Sequence, residues 1–415
     1  MSNQTSSLET AISALADKAL DEAIIKQHIR PLFSKSLQNT PDIYLANHSL
    51  GRMLDQTESD VMEALQYWTY GSEDAWNDWF DEIQNFRKQT AKLLHAKSAD
   101  CIIPKASSGQ GLRAVLNCYD NPIKVMTSAD EFNSIDFILK VFAQRKRIQL
   151  EYIKPHTKYD YQLDDFLTAL KQKPQLIVLS MVLFTTGQLL NDLKILVEAA
   201  HRQGILILLD LYHAVGVIPL DVTELDIDFA IGGSYKYLRG GTGASWLYIN
   251  PRHLEGSLQT LDIGWFAQQQ IFAFQRPETP QFANGGNAFL ESTPAILPFY
   301  QARAGLKFTL DIGVQRLRNY SLQQQQLMEN LFQQYGIPFL GTISNRGAFI
   351  VNPHPQAGTI SMQLKHEGVI CDSRENLLRL CPDLLNTEEE LSIAIDKLSK
   401  VWKTFNLLTS TIVLK

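Results

Sequence analysis

The rhythm of hydrophobic and polar positions changes three times along this chain. Residues 56–98 carry apolar side chains at helical spacing, with Trp68, Trp76, Trp79 and Phe80 among them. That spacing predicts long amphipathic helices whose aromatic cluster serves as core or as a subunit interface. From about residue 100, short apolar runs take over, at 101–103, 123–126, 176–179, 205–209, 229–231 and 246–249. Helix-length segments, such as 192–203, separate several of them. Apolar runs of this length read as strands buried on both faces. Their alternation with helices predicts an α/β fold, with a mostly parallel sheet covered by helices on both sides. After about residue 300 the pattern is strongly helical through Phe332, then mixed. The expected division is an N-terminal segment 1–55 packing with a small α+β domain 301–415, and a large domain 56–300. The glutamines at 323–326 fall in a helical pattern and are expected on a solvated face.

Composition narrows the class. The chain has 415 residues, 45% hydrophobic and 20% charged, with a net charge of −6. These are the proportions of an ordinary globular protein, and neither the charge nor any basic stripe makes a case for nucleic acid. No apolar run approaches the roughly 20 residues that span a bilayer. The N-terminus is polar and then amphipathic, without the order of a secretory signal. Cys101, Cys118, Cys371 and Cys381 are scattered with no CxxC pair. That spacing argues against a zinc site or a disulfide framework and fits a reducing cytoplasm.

In open parallel sheets ligands gather at the carboxyl ends of the strands, so the residues after each apolar run carry the candidate chemistry. After 101–103 comes Lys105-Ala106-Ser107-Ser108-Gly109-Gln110-Gly111, opening a helical pattern. Such a loop suits an anion through free N–H groups and the helix dipole, or it is a plain serine cap. After 205–209 comes Asp210, with His213 three residues on. An acid at the end of a fully apolar strand needs a partner. The histidine alone reads equally as a hydrogen-bonded core residue. After 229–231 comes Gly232-Gly233-Ser234-Tyr235-Lys236-Tyr237, a lysine amid small residues. Burial lowers a lysine's pKa, and a neutral amine attacks carbonyls; the alternative is a lysine snorkelling to water. Together the three sites fit a phosphorylated aromatic aldehyde, pyridoxal 5'-phosphate. Phe132 is placed to offer a ring face.

The same residues resemble the kynureninase family. Asp210-Leu211-Tyr212-His213-Ala214-Val215-Gly216 and Ser234-Tyr235-Lys236-Tyr237-Leu238 are similar to its cofactor region. Tyr44-Leu45-Ala46-Asn47-His48-Ser49-Leu50-Gly51, Thr186-Gly187-Gln188, Gly264-Trp265-Phe266 and Ser292-Thr293-Pro294 follow the family's other motifs in order, and Arg379 follows its carboxylate-binding arginine. The resemblance runs from about Ile43 to Asn386. It implies the aspartate-aminotransferase fold, with a seven-stranded sheet, and a homodimer. It also implies hydrolysis of the Cβ–Cγ bond of kynurenine or 3-hydroxykynurenine to an anthranilate and alanine. By that resemblance Lys236 holds the aldehyde and moves protons, and Asp210 pairs with the pyridine nitrogen. His213 lies beside the ring, Phe132 stacks on it, and Ser180 belongs to the same group. Ser108, Gly109 and Tyr235 bind the phosphate region; Trp265 and Ser292 arrive from the partner subunit. Arg379, His48 and Trp76 fall on the substrate side.

Departures from the family pattern concern the aryl pocket: His48 at an asparagine position, Ile135 where an acid is expected, Gln268 for a histidine and Leu385 for a tyrosine. They leave room for a related class-V enzyme acting on another amino acid, or for an inactive binding protein. A dinucleotide reading also exists, because Gly109-Gln110-Gly111-Leu112-Arg113-Ala114 satisfies GxGxxA with Asp130 and Glu131 about 20 residues on. It leaves Asp210, His213 and Lys236 without a task. A desulfurase would need a mobile thiol, and Cys371 and Cys381 have core-like apolar neighbours.

Overall fold

The computed structural model describes residues 7–38, 42–256 and 258–412, with side chains at the C-terminus as far as residue 405. Parts of the expected outer domains, 1–6, 39–41 and 413–415, lie outside the described residues. The first strand, β1 (Ile43–Tyr44), belongs to the C-terminal half of the molecule. The large sheet follows: β2 (Ile102–Lys105), β3 (Ile123–Ser128), β4 (Ile148–Ile153), β5 (Leu176–Ser180), β6 (Leu206–Asp210), β7 (Phe229–Gly233) and β8 (Ser245–Ile249). Their spatial order is β2-β8-β7-β6-β5-β3-β4. Strands β3 to β7 are parallel, and β8 runs antiparallel to both β7 and β2. Strand β2 therefore points the same way as the parallel set, and its carboxyl end shares their edge.

Successive residues of these strands serve opposite faces, as the period of two requires. Leu176, Val178 and Leu208 pack with Leu112 and Leu139 of the helices Ser108–Leu116 and Asn133–Gln144. Their neighbours Ile177, Leu179 and Leu209 pack with Phe86, Phe166 and Val197 on the other side. The six runs read from the sequence are all strands. Strand β4 escaped because it lies at the sheet edge, where Gln149 and Tyr152 face solvent and interrupt the apolar run.

A second core gathers the C-terminal elements. Strands β9 (Ile350–Pro353), β11 (Asp372–Arg374) and β12 (Leu377–Leu380) form an antiparallel sheet, while β10 (Val369–Ile370) pairs in parallel with β1. Leu45 joins Met328, Phe332, Leu380 and Trp402 in this core. The N-terminal helix Ser7–Leu15 and Phe33 pack on Phe308, Leu384 and Leu385.

Only half of the glutamine run is a solvated face: Gln323 and Gln326 are exposed. Gln324 and Gln325 are buried in the helix Val314–Tyr335, and Gln324 Nε2 donates to the carbonyls of Asp383 and Asn386 at 2.8 and 3.1 Å. Gln325 Nε2 reaches the Gly347 carbonyl at 3.1 Å. An amide is tolerated here because buried backbone carbonyls receive it. Gln324→Leu should therefore destabilise the protein by about 1–3 kcal/mol in denaturant unfolding, since it removes two buried hydrogen bonds. Gln326→Leu, on the exposed side of the same helix, should stay within about 0.5 kcal/mol of wild type.

Candidate active site

The carboxyl ends of the parallel strands enclose a cleft of about 420 Å³. Ser108, Gly109, Phe132, Ser180, Asp210, His213, Tyr235 and Lys236 all line it. The sheet register explains the convergence: Ser180 is the β-partner of Asp210, and Asp210 that of Ile231. The strand order reverses between β3 and β5, which is where open α/β sheets place their ligands. Ser107 caps the helix opening at Ser108, its side chain accepting from the Gln110 amide.

Lys236 is buried with its Nζ 2.7 Å from His213 Nε2. The backbone around it is held from three directions. Gly51 comes so close that a Cβ there would sit 2.0 Å from the Lys236 carbonyl oxygen, and its amide donates to the Tyr235 carbonyl at 2.9 Å. Gly232 faces Trp246, where a Cβ would meet the indole at 2.3 Å. The small residues before the lysine thus make room for a tryptophan of the neighbouring strand. Arg239, with a left-handed φ of 59°, is tied to Asp383 by a two-pronged ion pair at 2.9 and 2.5 Å.

Burial pushes the Lys236 ammonium well below its usual range and the Asp210 carboxyl above its own. Each would stabilise the other's charge, but desolvation is the larger cause for both. Asp210 accepts one hydrogen bond, from the Tyr212 amide at 2.8 Å. His213 is held far below its ordinary value by burial and by the nearby cations Lys236 and Arg379, so it is neutral, with its Nε2 between Lys236 Nζ at 2.7 Å and the His48 carbonyl at 3.2 Å.

This donor set fits pyridoxal phosphate. A buried carboxylate short of partners suits a protonated pyridine nitrogen. A buried amine suits an aldehyde, and a helix N-terminus suits a phosphate. Lys236 Nζ lies 5.8, 5.3 and 5.7 Å from the ring centres of Phe132, Tyr212 and Tyr235, so aromatic faces surround the amine.

Other expected residues lie elsewhere. Ser292 lines a separate cavity of about 440 Å³ with Phe80 and Phe266; Trp265 is next to it, its indole donating to the Ile271 carbonyl at 2.7 Å. Trp76 stacks on Phe80, 5.4 Å between ring centres. His48 and Arg379 are buried behind the cleft wall and bonded to Asp372. Ile135 is core, Asp136 pairs with Lys140, Gln268 bridges to Phe282, and Leu385 is buried beside the N-terminal helices. The dinucleotide reading fails on geometry. Strand β2 is an edge strand, Asp130 accepts from Thr185 and Thr186, and Glu131 is buried between Ser128 and Ser180 with its carboxyl raised to about 7 by burial. Cys371 and Cys381 are buried thiols raised to about 12, unsuited to a mobile nucleophile. The sequence reading missed Phe184, Tyr212 and Asp372. Asp372 was legible as the cross-strand partner of Arg379 in a hairpin turning at Glu375 and Asn376.

The Aminotransferase class-V family model matches residues 60–363. Kynureninase from Bacillus cereus is 31% identical over 385 residues, 87% of this chain and 88% of that protein. Kynureninase from Bacillus anthracis is 32% identical over the same shares, and that from Shouchella clausii 30%. The chain belongs to the kynureninase family. It is a pyridoxal-phosphate-dependent enzyme of the class-V aminotransferase group. Solved structures agree on the fold: the cystine C–S lyase C-DES superposes with a TM-score of 0.80 at 19% identity, covering 88% of this chain and 98% of that one. A cysteine desulfurase from Thermococcus onnurineus gives 0.78 at 17%, covering 91% and 98%.

The titration of Lys236 predicts how the cofactor loads. The amine attacks an aldehyde only when neutral, and its lowered pKa makes the neutral form grow as pH rises through the neutral range. Cofactor uptake by the apoprotein, followed by absorbance, should therefore accelerate between pH 6 and pH 8. In Lys236→Ala that acceleration and the lysine-linked absorption band should both be absent.

Proposed function

We propose that this protein is a kynureninase-like hydrolase that uses water to split the Cβ–Cγ bond of L-kynurenine or 3-hydroxykynurenine, releasing an anthranilate and L-alanine. The observation that carries the reading is the buried Lys236, with His213 and Asp210 in one cleft, in a chain of the kynureninase family. Bound pyridoxal phosphate supplies an electron sink for the charge that develops at the substrate's α-carbon. Lys236 would hold the cofactor through its aldehyde and would move protons at the substrate's α-carbon. His213, 2.7 Å from the lysine amine, would steady its position. Asp210 keeps the pyridine nitrogen protonated, Ser108 and Gly109 receive the phosphate, and Tyr235 stands beside them. Phe132 covers a ring face, and Ser180 completes the polar side. Arg379 takes the substrate's carboxylate. Cleavage balances: water adds at the γ-carbonyl, the carbonyl carbon leaves as the carboxyl of anthranilate, and the β-carbon gains a proton to become the methyl of alanine.

A second copy of the chain completes the assembly in this reading. Trp68, Trp265, Phe272 and Phe274 are exposed in one neighbourhood of aromatic contacts, linked through Trp79, Trp76, Phe80 and Phe266. An exposed aromatic surface of this kind marks an interface, and it would bring Trp265, Ser292 and Trp76 to the partner's cleft. Among the described residues no helix is long and apolar enough to cross a membrane. The four cysteines are free, which supports placing the protein in the cytoplasm.

The test is product release. The loaded enzyme should form anthranilate and alanine in equal amounts from L-kynurenine, and 3-hydroxyanthranilate from the hydroxylated substrate, while Lys236→Ala releases neither. Asp210→Asn should keep some cofactor and lose about 10²–10³-fold in kcat, the size of effect expected when a fixed electrostatic partner is removed. Near-normal turnover by that variant would end the assignment of Asp210 to the pyridine nitrogen.

A further inference from the structure

Arg379 has five N–H donors, and the structure gives partners to three. Nε and Nη2 donate to the two oxygens of Asp372 at 2.8 and 2.6 Å, and Nη1 donates to the Phe184 carbonyl at 2.7 Å. The Nε–Nη2 pair forms one edge of the planar guanidinium, so one N–H remains on Nη1 and one on Nη2. The guanidinium carbon lies 4.9 Å from the ring centre of Phe184, which also meets His213 and Phe132 of the cleft and the Arg374 guanidinium.

Asp372 is held as firmly as it holds. Its Oδ1 also accepts from His48 Nε2 at 2.8 Å, and Arg374 Nη2 reaches Oδ2 at 3.2 Å. Burial and the adjacent Arg379 keep His48 neutral down to about pH 4. Burial raises the Asp372 carboxyl, but the hydrogen bonds and charges of His48 and Arg379 outweigh it and hold the carboxyl well below the usual range, so it stays charged. The buried Arg379 and Asp372 balance one another, and the surplus charge sits on Arg374, whose side chain is 41% exposed. What the cluster offers a ligand is the two N–H groups of Arg379 left over from these bonds.

We propose that Asp372 is a positioning residue for substrate recognition: it fixes the Nε–Nη2 edge of Arg379, so that the two remaining N–H groups are presented past Phe184 to the α-carboxylate of an amino acid, with His48 bracing Asp372 from behind. The proposal rests on the reading of the substrate as an amino acid. It also gives His48 a task. An imidazole in this place reaches the carboxylate as a neutral donor and stacks on Phe349 at 4.8 Å.

The experiment compares ligands with and without the carboxylate on the holoenzyme: L-alanine against ethylamine, and L-kynurenine against kynuramine. Half-saturation is read from the absorption of the bound cofactor. Wild type should prefer the acids. Asp372→Asn should weaken both acids by about tenfold to a hundredfold, the cost expected of a misplaced clamp, and leave the amines unchanged. Asp372→Glu should recover part of the preference. His48→Ala, which leaves Asp372 in place, should raise KM for kynurenine with kcat nearly constant. The proposal is overturned if Asp372→Asn keeps the wild-type preference, if it weakens acids and amines alike, or if wild type shows no preference. Anthranilate release by the wild type judges the proposed reaction separately. No release, together with loss of the alanine preference in Asp372→Asn, would sink the substrate and leave the role of Asp372 standing.

Discussion

Desolvation of two opposite charges at one sheet edge is the constraint on which the site depends. Lys236 and Asp210 are each buried enough that solvent loss outweighs their mutual attraction. The apoprotein therefore holds an amine ready to react and a carboxyl ready to be paired, both at some cost in stability. That cost is sustained because the surroundings fix the lysine's backbone: Gly51 from the N-terminal segment, Gly232 against Trp246, and Arg239 through Asp383. These braces come from three separate stretches of chain. Movement of any one would open a path for water, and the shifted pKa values would relax toward ordinary ones.

Much of the fold was legible because burial on both faces writes itself as unbroken apolar runs. Where a strand is half exposed, as β4 is, the signal fades. Where a polar side chain is buried against backbone carbonyls, as Gln324 is, composition misleads outright: glutamine looks solvated unless its acceptors are known. The site divides in the same way. Lys236 and Asp210 stood out as charges at the ends of apolar strands. Asp372 did not, because its meaning lies in the residue across the hairpin and in His48 from the far end of the chain. Trp265 and Ser292 could be singled out from motifs, but spacing says nothing about which cleft they serve.

The comparison with lyases and desulfurases of the same fold shows how function separates from architecture. The sheet, the helix N-terminus at Ser108 and the strand-end lysine suit any enzyme that needs this cofactor. Around them, Cys371 and Cys381 are locked in the core, and an aromatic wall runs from Phe132 through Phe184 and His213 to Phe349. The small C-terminal sheet contributes Arg379 and Asp372 behind the cleft wall, so the residues of the cleft and those proposed for recognition belong to two different cores.

The pairing of β1 with β10 has a temporal consequence. Residues 43 and 44 leave the ribosome long before their hydrogen-bond partners, Val369 and Ile370. Contacts of such sequence separation form late. The same segment delivers Gly51 to the lysine backbone, so the catalytic edge of the large sheet stays unfinished until the stretch around Val369 has emerged. A nascent or truncated polypeptide could fold its central sheet and still lack the brace at Gly51. Stable retention of the cofactor would then act as a late checkpoint on the biogenesis of this enzyme, reporting that these two distant segments have met.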